Sequence, residues 1–224
     1  MKLNKRVITT GILILAICVV GKLLFGALKN FKPDEFHPAA IIMLVDSSAS
    51  NVKELPEQIK YIRQLCAILD PEDEVKILKV SESSYLIYEG SPSDTKSISK
   101  SFEAFTKYNA NEYGTAYGEA MKKAFTHALA MKKDGYTPAV VVIGDLENEG
   151  AREKQIDWET FPESVKNLQK EIPEFSMAFL FAHPEKLDFV KTELSPILGE
   201  KKLILANNKV TDKASRKILE AIGR

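Results

Sequence analysis

The sequence predicts an α/β fold, namely a three-layer, doubly wound, mostly parallel sheet of the Rossmann-like kind with one antiparallel edge hairpin. One N-terminal transmembrane helix is expected to precede it. Continuous apolar runs such as "AAIIMLV" at 39–45 and "TPAVVVIG" at 137–144 are typical of strands that are buried on both faces. Amphipathic helical patterns separate these runs, and parallel neighbours in a sheet need such crossover connections.

The elements follow one another in a regular order. We expect strands at 39–45, 75–80, 85–90, 137–144, 175–182 and 202–206. We expect helices at 52–69, 98–108, 115–133, 159–171, 185–194 and 212–222. In the first helix Leu55, Ile59 and Ile62 share one face, as an amphipathic helix requires. Only "SESS" joins the second and third strands, which is too short for a crossover, so this pair is predicted to be an antiparallel hairpin.

The N-terminal residues differ in character from the rest of the chain. Residues 1–6 form a basic segment, and 7–28 is apolar except for Lys22. About 22 residues of helix would be roughly 33 Å long, enough to cross the hydrocarbon core of a membrane. No convincing small-x-small cleavage site follows, so we expect an uncleaved anchor. The prediction is therefore a transmembrane anchor at 7–28, a linker at 29–38 and one domain at 39–224.

The orientation of this anchor is predicted from its flanking charges. Three basic residues precede the apolar segment, whereas the two lysines that follow it are diluted by acidic residues. The excess of lysine and arginine on the cytoplasmic side of membrane proteins favours a cytoplasmic N-terminus. We therefore expect a single-pass membrane protein whose domain lies outside the cytoplasm.

Composition excludes some function classes. Lysine plus arginine equals aspartate plus glutamate, 31 of each, and no basic stripe interleaved with aromatic residues occurs, so nucleic acid is not an expected partner. The sequence contains no P-loop, nucleophile elbow, His-Glu-x-x-His or Cys-x-x-Cys motif. A binding module is therefore favoured over an enzyme.

Polar oxygen-bearing side chains follow the strands of the predicted sheet. Asp46, Ser48 and Ser50 come after the first strand in "DSSAS", and Asp145 follows the strand at 137–144. Thr115 opens the long helix between them. In such sheets ligands bind outside the carboxyl ends of the strands, so these five side chains are expected to meet there. Two carboxylates and three hydroxyls are hard oxygen ligands of the kind that Mg²⁺ or Mn²⁺ prefers.

These motifs resemble the von Willebrand factor A domain family and its metal-ion-dependent adhesion site. "DSSAS" has the residue types and spacing of the family's Asp-x-Ser-x-Ser pattern, "YGTAYGEAM" is similar to its threonine loop, and "VVVIGD" is similar to its aspartate strand. The resemblance covers 39–224. It departs from the family after the fourth strand, where Thr-Asp-Gly is frequent and this chain has Gly144, Asp145 and Leu146.

The resemblance implies a role for each matching residue. Ser48 and Ser50 would coordinate the cation directly. Thr115 would bind it directly when a ligand is present and through water otherwise. Asp46 and Asp145 would hold it directly or through waters. The last coordination position would accept an aspartate or glutamate from a protein partner.

Each of these residues also has a purely structural interpretation. Asn51 and Glu54 have the spacing of a helix capping box, which would make "DSSASN" the start of a helix. Thr115 could be an ordinary helix N-cap and Asp145 a cap of the loop that follows it. Tyr117 is expected to pack in the helix interface rather than to belong to a site.

Two other function classes stay open at this point. One is a metal-independent scaffold subunit of a membrane complex. The other is a magnesium-dependent, phosphatase-like hydrolase that uses Asp46 as its nucleophile. Such phosphatases need a second carboxylate two residues after the nucleophile, and this chain has Ser48 there. The binding module with a metal-bridged carboxylate is therefore the leading hypothesis.

Overall fold

Six strands form one sheet in the order β3-β2-β1-β4-β5-β6 in the computed structural model, which describes residues 37–106, 114–147, 150–207 and 211–224. The strands are β1 Ala39–Asp46, β2 Glu74–Val80, β3 Ser84–Gly90, β4 Thr137–Ile143, β5 Ser176–Leu180 and β6 Leu203–Ala206. All neighbouring strands are parallel except β2 and β3, which form an antiparallel hairpin. The predicted fold class is therefore confirmed for the domain.

Helices connect the strands and cover both faces of the sheet. They are α1 Leu55–Ile68, α2 Thr95–Ser101, α3 Glu103–Thr106, α4 Tyr117–Lys133, α5 Phe161–Glu171, α6 Pro184–Leu198 and α7 Thr211–Ala221, with a 3₁₀ turn at Arg152–Lys154. The helix predicted at 98–108 is wrong in its bounds, because two short helices occupy that region. The first begins at Thr95, since the Asp94 carboxylate accepts a hydrogen bond from the Ser97 amide at 3.0 Å.

The apolar runs are continuous because each strand contributes to two cores. In β1 the side chains of Ile41, Met43 and Val45 belong to the core under α1 and α7. Ile42 and Leu44 belong to the core under α4, α5 and α6 on the opposite face. All five are fully buried. Alternate residues of a strand point to opposite faces, so a central strand of a three-layer fold must be apolar at every position.

The membrane prediction falls outside this description. The transmembrane anchor at 7–28, the basic segment at 1–6 and most of the linker at 29–38 lie outside the described residues. Among the residues that are described, no helix has both the length and the apolar character that a membrane span requires.

Candidate metal centre

Asp46 is the last residue of β1 and lies at the carboxyl edge of the sheet. The register of the parallel strands pairs it with Val80 of β2 and pairs Val45 with Ile143 of β4. Residues that follow β1 therefore lie beside residues that follow β4. The Asp46 side chain is fully buried, and its Oδ1 accepts a hydrogen bond from the Ser48 amide at 2.8 Å.

The structure joins the first loop to Asp145 through a row of hydroxyls. The Oγ atoms of Ser48 and Ser50 are 3.0 Å apart. The Ser50 hydroxyl donates to Asp145 Oδ2 at 2.8 Å, across 95 residues of sequence. Ser48 is 3% exposed and Asp145 8%, whereas Ser50 is exposed to solvent. Asp46, Ser48, Ser50 and Asp145 thus form one contiguous cluster that opens to solvent at Ser50.

Thr115 lies at the same edge of the sheet and is fully buried. The amide of the next residue, Ala116, donates to the carbonyl of Ser81 just after β2, at 2.7 Å. Among the described residues, the Thr115 hydroxyl has no hydrogen-bond partner. The interpretation of Thr115 as an ordinary N-cap is wrong, because Ala116 occupies the cap position of α4 and no side chain caps it.

The capping-box interpretation of Asn51 and Glu54 is also wrong. Glu54 is the N-cap residue of α1, but no side-chain hydrogen bond caps that helix. Instead the side-chain amide of Asn51 donates to the backbone carbonyl of Asp46 at 2.7 Å. It also exchanges two hydrogen bonds with the side-chain amide of Gln58, at 3.0 and 2.9 Å. Asn51 therefore holds the first loop of the cluster against α1.

The loop-cap interpretation of Asp145 describes one of its two oxygens. Asp145 Oδ1 accepts the Glu147 amide at 2.8 Å, which is the local turn that a capping aspartate makes. Its Oδ2 receives the Ser50 hydroxyl instead. Asp145 therefore both shapes the loop after β4 and presents an oxygen to the cluster.

Tyr117 is a site residue that sequence reasoning missed. Its ring is fully buried in the core under α4, as expected, but its hydroxyl donates to Asp46 Oδ2 at 2.9 Å. The amide of Leu146 donates to the same hydroxyl at 3.4 Å. The sequence carries no direct signal for this contact, because helical spacing assigns the ring to the core and does not locate its hydroxyl.

The cluster concentrates negative charge in a buried position. Burial, and secondly the charge of Asp145, raises the pKa of Asp46 to about 7, although hydrogen bonds from Ser48 and Tyr117 oppose this. Burial also raises the pKa of Tyr117 well above its usual value, so the phenol remains a proton donor. In the part of the chain that the structure describes, neither Asp46 nor Asp145 forms an ion pair.

The donor set fits a hard divalent cation. No cluster of three or more His, Cys, Asp or Glu side chains suited to a metal occurs within the described ranges, so a cation at this edge would depend on hydroxyl ligands. The buried hydroxyl of Thr115, which has no partner among the described residues, has the chemistry of such a ligand, since buried polar groups are normally paired. With two carboxylates and the two serines, these residues match the all-oxygen chemistry that Mg²⁺ and Mn²⁺ prefer.

Comparison with known proteins supports the fold. No protein-family profile matches the sequence, and no curated protein does. Among solved structures, the SpRpn10 VWA domain superposes with a TM-score of 0.58 at 10% identity, over 82% of this chain and 95% of that one.

Two further structures extend this comparison. An aerotolerance-related membrane protein from Bacteroides fragilis gives a TM-score of 0.57 at 16% identity, over 82% of this chain and 98% of that one. Proximal thread matrix protein 1 from the mussel byssus, solved with a zinc-occupied MIDAS motif, gives a TM-score of 0.50 at 12% identity, over 83% of this chain and 47% of that one. The chain therefore has the fold of von Willebrand factor A domains, as its motifs imply.

Proposed function

We propose that this protein is a membrane-anchored, von Willebrand factor A-like binding module that holds a divalent cation, Mg²⁺ or Mn²⁺, and engages a protein partner through a metal-bridged carboxylate. The proposed ligands are Asp46, Ser48, Ser50, Thr115 and Asp145. The observation that carries the proposal is the buried Thr115 hydroxyl, which has no partner among the described residues and lies at the edge of the sheet where two carboxylates form no ion pair with any described residue.

The charge of the site supports an external carboxylate as its ligand. Two carboxylates and neutral hydroxyls leave a divalent cation with no surplus of negative charge around it, and Mg²⁺ takes six oxygens where the chain offers five ligand side chains. When bound, the cation would supply a Lewis-acidic attachment point for an aspartate or glutamate of the partner. Access is from the side of Ser50, because Ser50 and Ala49 are exposed whereas the other ligands are buried.

The membrane location is proposed from the sequence at 7–28. The similarity to a membrane protein from Bacteroides fragilis, which extends over 98% of that chain, supports an association of this kind of domain with membranes. The charges that flank the apolar segment favour a cytoplasmic N-terminus and a domain outside the cytoplasm.

The surroundings of Asp46 argue against the phosphatase alternative. A carboxylate nucleophile must present a free oxygen to its substrate. Asp46 is fully buried, its Oδ1 accepts the Ser48 amide, and its Oδ2 accepts the Tyr117 hydroxyl. This arrangement suits an aspartate that supports a site better than one that attacks a phosphate ester.

The test is a titration of the full chain, in detergent, with Mn²⁺ and with Mg²⁺ by calorimetry. Wild type should bind one ion, and Asp145→Ala should weaken binding at least about 100-fold, because it removes a charged ligand. The matched control is Asp188→Ala, which removes an exposed aspartate of α6 and should leave the Kd unchanged. Absence of binding by wild type would contradict the proposal and favour the metal-independent scaffold.

A second arm tests the open coordination position. Acetate is added to the Mn²⁺-loaded protein, and the electron paramagnetic resonance spectrum of Mn²⁺ is followed. A saturable spectral change would support capture of a carboxylate by the bound ion. A spectrum that does not respond to acetate would contradict the metal-bridged mode of partner binding.

A further inference from the structure

The loop after β4 brings its backbone unusually close to Asp46. A Cβ atom placed on Gly144 would lie 2.3 Å from the Tyr117 hydroxyl oxygen and 2.4 Å from Asp46 Cβ. Both distances are far below van der Waals contact. Position 144, where the resembling family often has threonine, therefore cannot carry a side chain in this protein while Tyr117 and Asp46 keep their positions.

The phenol of Tyr117 takes up the room that Gly144 leaves. Its hydroxyl lies between two loops, donating to Asp46 Oδ2 and accepting from the Leu146 amide. Leu146 has a φ of 62°, in the left-handed region, where a residue other than glycine is strained. A strained, buried Leu146 thus donates its amide to the same hydroxyl that donates to Asp46.

This contact fixes the Asp46 carboxylate at both oxygens. Oδ1 accepts the Ser48 amide at 2.8 Å and Oδ2 accepts the Tyr117 hydroxyl at 2.9 Å. Rotation of the carboxylate would break at least one of these bonds. The hydroxyl of Tyr117 therefore determines how Asp46 faces the serine row and Asp145.

We propose that Tyr117 is a positioning residue of the metal site. From the first turn of α4 it supplies a hydroxyl to Asp46 in the space that a threonine side chain at position 144 would otherwise occupy. This inference rests on the proposed function, because its consequence is the affinity of the site for a cation. It adds a side chain that lies outside the five proposed ligands.

The alternative is that Tyr117 serves only to fill the core. Its ring is fully buried, and ring packing would be retained by phenylalanine. Removal of the hydroxyl alone therefore separates the two roles. A role in packing predicts no change in metal affinity, whereas a role in positioning Asp46 predicts weaker binding.

The first experiment is a Mn²⁺ titration of full-length Tyr117→Phe. The Kd should rise about 10-fold or more, since loss of an outer hydrogen-bond partner of a metal ligand typically costs 10–100-fold. The matched control is Tyr88→Phe in the edge strand β3, which removes the 2.6 Å hydrogen bond from a buried tyrosine to the carbonyl of Ser91, just after that strand. This control should bind Mn²⁺ as wild type does.

The outcomes separate this inference from the function on which it rests. If wild type binds Mn²⁺ and Tyr117→Phe binds it equally tightly, the positioning role is overturned and the metal site stands. If wild type binds no Mn²⁺, the proposed function fails and the positioning role fails with it.

A second experiment tests the shared space by thermal unfolding without metal. Gly144→Ala should lower the Tm in the wild-type background, because the new Cβ collides with the Tyr117 hydroxyl. The decrease should be smaller in the Tyr117→Leu background, where the contacts with Asp46 Cβ and Oδ2 remain but the collision with the phenol is removed. Equal decreases in the two backgrounds would contradict the claim that Tyr117 occupies the space of a side chain at position 144.

Discussion

Two buried aspartates lie at opposite ends of the strands of the sheet and differ in the charge of their hydrogen-bond donors. Asp73, just before β2, is 3% exposed, accepts the Ala39 amide at 2.7 Å and binds the Arg224 guanidinium through both of its oxygens. Asp46, at the other end of β1, is fully buried, and its donors among the described residues are neutral, namely the Ser48 amide and the Tyr117 hydroxyl.

The difference separates an acid that stabilises the fold from an acid that is available for function. Asp73 has a cation from its own chain and links the first strand to residue 224. Asp46 has no cationic partner in the described ranges and faces a second carboxylate, Asp145. Burial of unpaired charge is costly, and under the proposed function an external cation would offset this cost at the Asp46 end, as Arg224 does at the Asp73 end.

The largest expected effect is a pH dependence at the Asp46 end. In the metal-free protein the pKa of Asp46 is raised from 3.8 to about 7, so the folded state holds a proton that the unfolded state loses. This contribution is fully present below about pH 4 and is lost as the pH rises through 7, about 4 kcal/mol in total. Chemical unfolding with chelator, from pH 4 to pH 8, should show this loss for wild type.

Asp46→Asn isolates that contribution from the other titrating groups. The variant cannot ionise at this position, so its stability relative to wild type should increase from pH 4 to pH 8 by about 4 kcal/mol. With saturating Mn²⁺ at pH 8, wild type should become the more stable of the two proteins, because only wild type gains stability from the ion. A constant difference between the two proteins across this pH range would show that Asp46 is not the unpaired acid that the comparison requires.

The sequence predicts the cluster around Asp46 better than it predicts the ion pair of Asp73 at the opposite edge of the sheet. The carboxyl edge was predictable, because doubly buried strands at 39–45 and 137–144 followed by oxygen ligands imply a site there. The role of Tyr117 was not, because helical spacing assigns its ring to the core and does not indicate where the phenolic oxygen ends. The ion pair of Asp73 and Arg224 was equally hidden, since it depends on a contact between residues 151 positions apart.

Local sequence signals also failed where tertiary contacts compete with them. The pair Asn51 and Glu54 has the spacing of a capping box, yet the Asn51 side chain forms its hydrogen bonds with Gln58 and with the Asp46 carbonyl. Leu146 stands where the resembling family often has glycine and still adopts a left-handed conformation, because burial of its side chain and the bond to Tyr117 offset the strain. Sequence patterns predict which face a residue occupies, but not which of several partners its polar atoms choose.

A smaller effect is expected at the Asp73 end. Asp73→Ala leaves the Ala39 amide without its acceptor and removes the bidentate partner of Arg224, whose side chain is only 16% exposed. We expect a loss of about 3 kcal/mol in the free energy of unfolding, with the Kd for Mn²⁺ unchanged. The control is Asp70→Ala, which removes a more exposed partner of the same arginine and should cost less. A weakened Mn²⁺ affinity in Asp73→Ala would contradict a purely structural role for Asp73, because it would show that the two ends of the sheet are coupled.

The smallest expected effect concerns Thr115, where substitution should raise the stability of the metal-free protein rather than lower it. Thr115→Val replaces a buried hydroxyl, which has no partner among the described residues, with a methyl group of similar size, so the metal-free protein should become more stable by about 1 kcal/mol. The same change removes a proposed ligand, so the Kd for Mn²⁺ should rise. Thr126→Val is the control, since the hydroxyl of Thr126 is exposed, bonds the Lys122 carbonyl on the same helix and should affect neither quantity. If Thr115 served only the fold, its substitution would lower the stability of the protein. A Thr115→Val protein that is less stable than wild type and binds Mn²⁺ as wild type does would therefore show that Thr115 is not a metal ligand.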